Sequence, residues 1–156
     1  MKRRGVIAAA AMALLSSGAL VGVPGLAGTS ININLRTRYL TLSEHGKPVA
    51  KFPVAIGAPE SPTPPGTFTI TRMEAEPVYH KAGKVIAPGP KNPVGVRYMA
   101  YFSTKTGEYA IHGTAWPNWV KIRAAVSLGC IRMLNDDVIS LFNRVDVGTP
   151  VLLTAN

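Results

Sequence analysis

Cysteine is nearly absent: the 156-residue sequence has a single one, Cys130. One thiol excludes an internal disulfide framework, so the core has to hold without covalent staples. Histidine is scarce too, limited to His45, His80 and His112. None stands at a short ligand spacing from another or from Cys130, which argues against a zinc site, and neither metal nor other cofactor is expected. Acidic residues number eight against 17 Lys and Arg, for a formal charge of +9. That balance suits anionic polymers or surfaces, but charge alone selects no partner. No nucleic-acid-binding motif accompanies it, so no nucleic acid is expected as a partner. Beyond Ala27 no apolar run is long enough to span a membrane, and no internal repeat, low-complexity tract or linker is visible.

The exception to the missing long apolar runs is the N-terminus. Met1 to Arg4 is short and positive. Val6 to Val23 is mostly Ala, Leu, Val and Gly, with Ser16 and Ser17 the only polar side chains. Gly25 and Ala27 then supply the small residues of a cleavage site. This is the layout of a secretory signal peptide, with cleavage expected after Ala27 and export to the periplasm or cell-wall space. The alternative is an uncleaved anchor, since the stretch is close to the ~18-residue minimum for a span. Residues 1–27 are thus read as a leader and 28–156 as one domain. No Cys directly follows the apolar region, so a lipoprotein anchor is not suggested. All eight acids lie after Lys2, Arg3 and Arg4, and the remainder stays basic.

Hydrophobic residues make up 47% of the chain, enough for a sizeable core, and 13 Pro with 15 Gly favour short strands and turns over a helical bundle. Ile31, Ile33 and Leu35 alternate with Asn32, Asn34 and Arg36, as in a half-buried strand. Leu40 and Leu42 continue in a second strand, His45 to Pro48 reads as a turn, and Phe52, Val54 and Ile56 alternate again, which predicts a hairpin. Gly57 to Gly66, with four Pro, is a loop. Phe68 and Ile70 mark another strand, and Pro77 to Val96 reads as a long surface loop. Tyr98 to Phe102 and Tyr109 to Ile111 predict two more strands. One helix is clear: Asn135 suits the N-cap, Asp136 and Asp137 the first turn, and Val138, Ile139, Leu141, Phe142 and Val145 one face. Gly148 ends it, before a last strand with Val151 and Leu153. The expected fold is mostly β, a compact sandwich or barrel-like domain with one main helix near the C-terminus.

A lone thiol in an oxidising compartment is either buried in the core or put to use. The neighbours of Cys130 bear on the choice. Gly129 before it lets the backbone bend and lets a substrate approach the peptide N–H groups of Gly129 and Cys130, which are candidate oxyanion donors. Arg132 adds positive charge, which favours a thiolate or holds a substrate carboxylate. Nineteen residues before Cys130 begins Ile111-His112-Gly113-Thr114. His112 ends an alternating strand and precedes a glycine, a suitable place for an exposed base, though a single His is also a common structural residue.

Together, Ile111-His112-Gly113-Thr114 and Ser127-Leu128-Gly129-Cys130-Ile131-Arg132-Met133 resemble the signature of the L,D-transpeptidase (YkuD-type) family. Thr63-Pro64-Pro65-Gly66-Thr67-Phe68 is similar to that family's Thr-Pro-x-Gly-x-Phe loop, Asn92-Pro93-Val94-Gly95 to its Asn-Pro-x-Gly element, and Val147 to Val151 to its closing strand. The likeness runs in order from about Ile31 to Leu153. Two departures are Leu128, where many members carry His, and Lys121-Ile122-Arg123, where members often have a Gly. The resemblance implies the L,D-transpeptidase catalytic fold, with Cys130 as nucleophile, His112 as base, and the Gly113 carbonyl orienting His112. It implies an oxyanion hole from Gly129 and Cys130, with Ser127 and Arg132 shaping the site or binding substrate. Trp116 and Trp119 are lid candidates, or simply pack on the domain. The implied substrates are peptidoglycan stem peptides, with an amine of a second stem or a wall-anchored protein as acceptor. An L,D-carboxypeptidase or amidase using the same residues is an alternative, and a non-catalytic wall-binding module is another.

Overall fold

The computed structural model describes residues 28–156. The expected leader, residues 1–27, lies outside the described residues. The chain opens with β1 (Thr29–Asn34), β2 (Tyr39–Glu44) and β3 (Lys47–Pro53), an antiparallel meander. Then come β4 (Ile56–Gly57), β5 (Gly66–Thr69), β6 (Arg72–Ala75), the hairpin of β7 (Tyr79–Lys81) and β8 (Lys84–Ile86), and β9 (Arg97–Ser103) with β10 (Glu108–His112). A short helix α1 (Pro117–Lys121), β11 (Ala125–Ser127), β12 (Ile131–Arg132), α2 (Asn135–Phe142) and β13 (Pro150–Thr154) complete it.

Two sheets carry the structure, in the orders β3-β2-β1-β13-β5 and β12-β10-β9-β6. In the first, Ile31 and Ile33 lie opposite Leu42 and Leu40 on one side and opposite Val151 and Leu153 on the other. All six are buried, because the period-two alternation turns every one of them to the same face. The second sheet adds Met99, Ile111 and Ile131, and α2 adds Val138 and Leu141, to one continuous core. The mostly β architecture expected from the sequence is the one observed.

The expected hairpin forms between β2 and β3, but the third apolar run does not stay in one strand. Pro53 ends β3, and Ile56 moves to β4, which pairs in parallel with β11. Proline withholds the ladder N–H that would have continued the pairing. Several short elements have no counterpart in the sequence reading, β11 and β12 among them. β6 is a charged edge strand, β7–β8 folds out of the presumed 77–96 loop, and α1 is a single turn begun by Pro117.

Asn135 is not the helix N-cap. Leu134 occupies that position, with no side-chain cap, and Asn135 is the first helical residue. Its amide instead reaches the segment after β10: Oδ1 accepts the Thr114 N–H at 3.0 Å and Nδ2 donates to the Thr114 carbonyl at 3.0 Å. A Cβ on Gly113 or on Gly95 would overlap Asn135 Oδ1, so these two glycines let three backbone segments meet at the amide. Replacing Asn135 by Ala should cost about 1–3 kcal/mol in urea denaturation, since two part-buried backbone groups lose their partners. A loss below the error of the measurement would contradict this role for the amide.

Candidate active site

The Ser127–Cys130 turn is held by hydroxyl groups. Ser127 Oγ accepts the Gly129 N–H at 3.0 Å and donates to the Cys130 carbonyl at 2.6 Å. From the proline-rich loop, Thr63 Oγ1 accepts the Gly57 N–H at 2.9 Å and donates to the Gly129 carbonyl at 2.8 Å. Both hydroxyl residues are buried, and each uses its single proton and a lone pair on backbone. Gly129 has φ near 125°, and a Cβ there would run into the Tyr109 ring, so only glycine fits. After the turn, β12 is tied down on two sides. Arg132 exchanges both backbone hydrogen bonds with Ala55 at 2.9 Å, and the Met133 N–H donates to the His112 carbonyl at 2.9 Å.

β12 pairs in parallel with β10, which sets His112 directly opposite Arg132. The imidazole is buried, with 5% of its residue surface exposed. Nδ1 lies 2.6 Å from the Gly113 carbonyl. A carbonyl only accepts, so Nδ1 carries the proton and Nε2 keeps its lone pair. Burial pushes the imidazole down to about 4; the Gly113 hydrogen bond opposes this and the Arg132 charge reinforces it. Burial likewise pushes the Cys130 thiol up, and Glu108 adds to that; the Ala110 N–H and Arg132 pull the other way. Both groups therefore rest neutral at pH 7. The thiol points its proton at the Glu108 carbonyl, 3.7 Å away.

Cys130, His112, Arg132, Ser127 and Trp116 line one open cleft of about 730 Å³. Its wall beyond His112 is built by β9 and β6. Tyr98 stacks on the imidazole with ring centroids 5.9 Å apart and planes 6° apart. The Tyr98 hydroxyl donates to Glu108 at 2.9 Å, and Arg72 binds the same carboxylate at 2.7 Å. On the other side, the Arg132 guanidinium lies 5.5 Å from the centre of the Trp116 ring. Trp116 and Trp119 are both half-exposed; Trp116 borders the cleft and also a second groove that Trp119 and Ile122 line.

The residues singled out in the sequence thus differ in position. Cys130, His112 and Arg132 share the cleft. Gly113 sits behind the imidazole. Ser127 reaches the cleft wall, but its hydroxyl is committed to the turn. The Gly129 N–H is taken by that hydroxyl, so of the two expected oxyanion donors the Cys130 N–H is the one with no hydrogen-bond partner among the described residues. Thr63, Asn92, Tyr98 and Glu108 were not singled out as site residues, and Asn135 only as a helix cap. For the first two, the available signal was a polar residue inside a Pro-Gly element; each is buried and bonded to backbone. A thiol, an imidazole lone pair and a free N–H in one cleft, beside a guanidinium, are the components of thiol-based acyl transfer.

A family model described as the L,D-transpeptidase catalytic domain (YkuD) matches residues 28–153. YqjB of Bacillus subtilis (strain 168), a relative that bears the L,D-transpeptidase name, is 36% identical over 124 residues, covering 78% of this chain and 69% of its own length. YkuD of Bacillus licheniformis, with the same designation, is 33% identical over 145 residues, covering 90% of this chain and 77% of its own. Among solved structures, an L,D-transpeptidase from Mycobacterium smegmatis aligns with a TM-score of 0.62 at 25% identity, over 81% of this chain and 58% of that one. The chain therefore spans well under two thirds of that structure.

Two outcomes follow from the electrostatics. Because burial disfavours the thiolate, alkylation of Cys130 by iodoacetamide should still be accelerating as the pH passes 9.0. A rate that plateaus below pH ~8 would show a thiolate already formed. His112 takes up its proton at about pH 4 when folded and near 6.5 when unfolded, so the unfolded chain binds more protons in between. Its contribution to stability is complete above 6.5 and is lost as the pH falls toward 4. His112→Gln should flatten that part of the stability–pH curve, and an unchanged curve would contradict the assignment.

Proposed function

The chain belongs to the L,D-transpeptidase catalytic-domain family, and on that premise we propose that it is an exported peptidoglycan L,D-transpeptidase acting through Cys130 and His112. The observation that carries this reading is the single cleft lined by Cys130, His112 and Arg132, with the imidazole proton held on Nδ1 by Gly113. In the proposed reaction Cys130 Sγ attacks the carbonyl of the diamino acid at the third position of a tetrapeptide stem. His112 Nε2 takes the thiol proton as the C–S bond forms. The oxyanion is met by the Cys130 N–H; such a donor is typically worth about 3 kcal/mol of barrier.

The C–N bond to the terminal D-Ala then breaks. His112 returns the proton to the leaving amine, and a thioester remains on Cys130. An amine from a second stem attacks that thioester, its proton passing to His112, and yields a 3→3 cross-link and the free thiol. Water in place of the amine gives a tripeptide by the same steps. Arg132 is assigned to the donor carboxylate nearest the scissile bond. Because the thiol is neutral and aimed at the Glu108 carbonyl, its transfer to Nε2 accompanies a rotation of the side chain toward the imidazole. Gly113 and Ser127 act through positioning, the one on the imidazole and the other on the nucleophile turn. Export is part of the proposal through the leader-like segment. No helix among the described residues is long and apolar enough to cross a membrane.

The test is incubation of the purified domain with a disaccharide-tetrapeptide, read by mass spectrometry. Cross-linked dimers lacking one D-Ala are the expected products. Tripeptide alone would identify a carboxypeptidase, and unchanged substrate would overturn the reading. Cys130→Ala should lower turnover by at least about a thousandfold with the circular dichroism spectrum preserved.

A further inference from the structure

The cleft is asymmetric in charge. Its lining includes two carboxylates, Glu74 and Glu108, and both are taken by Arg72, at 2.8 and 2.7 Å. The other charged side chains that line it are Lys81, Lys84 and Arg132, and none of these forms an ion pair among the described residues. The cleft therefore offers cations on two walls and no uncommitted anion.

The lysines are not scattered along a rim. In the β7–β8 ribbon, Tyr79, Lys81, Lys84 and Ile86 line the cleft while the intervening His80 and Val85 do not. One face of the ribbon is thus turned to the site. Lys81 and Lys84 are direct cross-strand partners. Like charges standing opposite each other disfavour such a ribbon. The ribbon forms regardless, because its backbone is secured elsewhere. Ala82 and Gly83 make the turn at φ of 49° and 74°, the left-handed pair of a tight hairpin. At the base, the buried Asn92 amide is shared among the carbonyls of Pro77, Ile86 and Ala87, at 3.0 to 3.2 Å. The lysine pair is held over the cleft at a cost in repulsion that a bound anion would offset.

We propose that Lys81 and Lys84 form a carboxylate-binding subsite, which makes the cleft selective for peptide donors with two free carboxylates. One carboxylate lies by Arg132, near the bond to be broken. The second, elsewhere on the donor, lies between the two lysines. Stem peptides whose internal carboxylate is free are preferred over those in which it is amidated. This inference rests on the acyl-donor reading given above.

The test uses two tetrapeptide donors that differ only in amidation of the internal carboxylate. Both are titrated calorimetrically onto the Cys130→Ala protein, and both are offered to the unmodified protein for turnover. Amidation should weaken binding about tenfold, the effect of losing one charge-assisted contact. The difference should vanish when Lys81→Ala and Lys84→Ala are added, two exposed positions whose loss leaves the circular dichroism spectrum unchanged. In turnover the two lysine replacements should raise KM for the free-carboxylate donor and leave kcat nearly as it was. Equal affinity for both donors, or a preference that survives the double replacement, would overturn the subsite. If the binding preference holds but neither donor is turned over, the acyl-transfer reading fails and the subsite stands. If both donors are turned over with equal kcat/KM, the subsite fails and the acyl-transfer reading stands.

Discussion

A buried imidazole serves as a base only if its proton is fixed on the nitrogen facing away from the acid it is to deprotonate. In this protein that condition rests on one contact, His112 Nδ1 to the Gly113 carbonyl at 2.6 Å. The bond is between neighbours in sequence, so it depends on the exact course of the backbone after β10. Much of the surrounding structure constrains that course. The Gly113 N–H donates to the Arg97 carbonyl, the Thr114 backbone is gripped on both sides by the Asn135 amide, and Gly95 presses against Gly113 from the other chain segment. The loop holding Gly95 is itself tied through Asn92 to the base of the β7–β8 ribbon. The imidazole, the ribbon and the start of α2 thus share one network of backbone contacts, and a side chain added at either glycine would break it.

The same logic governs the turn that carries Cys130. It has no covalent staple and sits between two short strands, yet Ser127 and Thr63 fill its internal hydrogen-bonding needs with hydroxyls that each serve as donor and acceptor once. The consequence for chemistry is that the turn spends the Gly129 N–H on its own stability and leaves the Cys130 N–H uncommitted. Burial then keeps thiol and imidazole neutral; the guanidinium of Arg132 favours the thiolate but opposes the imidazolium. Under the proposed mechanism, charge is generated during the reaction, where oriented dipoles stabilise it most effectively.

The sequence made the central strands legible because Ile31, Ile33, Leu40, Leu42, Val151 and Leu153 keep a strict period of two and all face one core. It made the cleft residues legible through the resemblance of the His112 and Cys130 motifs to the L,D-transpeptidase signature; a lone Cys between Gly and Arg reads equally as a core residue in a tight turn. What stayed hidden was short or long-range. β6 reads Arg-Met-Glu-Ala, an edge strand held by its partner rather than by propensity, and α1 has too few residues for a helical period. The hairpin in 77–96 was masked by the surrounding prolines and glycines. Asn135 shows a subtler limit. Its residue type suited an N-cap, but its amide serves a segment 21 positions away, which no local pattern encodes. Ser127 is similar: a polar residue beside a nucleophile reads equally as a substrate contact and as a turn brace, and only the distances to Gly129 and Cys130 separate the two.

The most direct measurement is the intact mass of the protein quenched in acid during reaction with a tetrapeptide donor, followed by mapping of the modified fragment. The expected result is an adduct equal to the donor minus its terminal D-Ala, located on the fragment containing Cys130, labile to hydroxylamine as a thioester is, and much reduced in His112→Gln. Turnover of the donor with no adduct on Cys130, or an adduct on another residue, would contradict it.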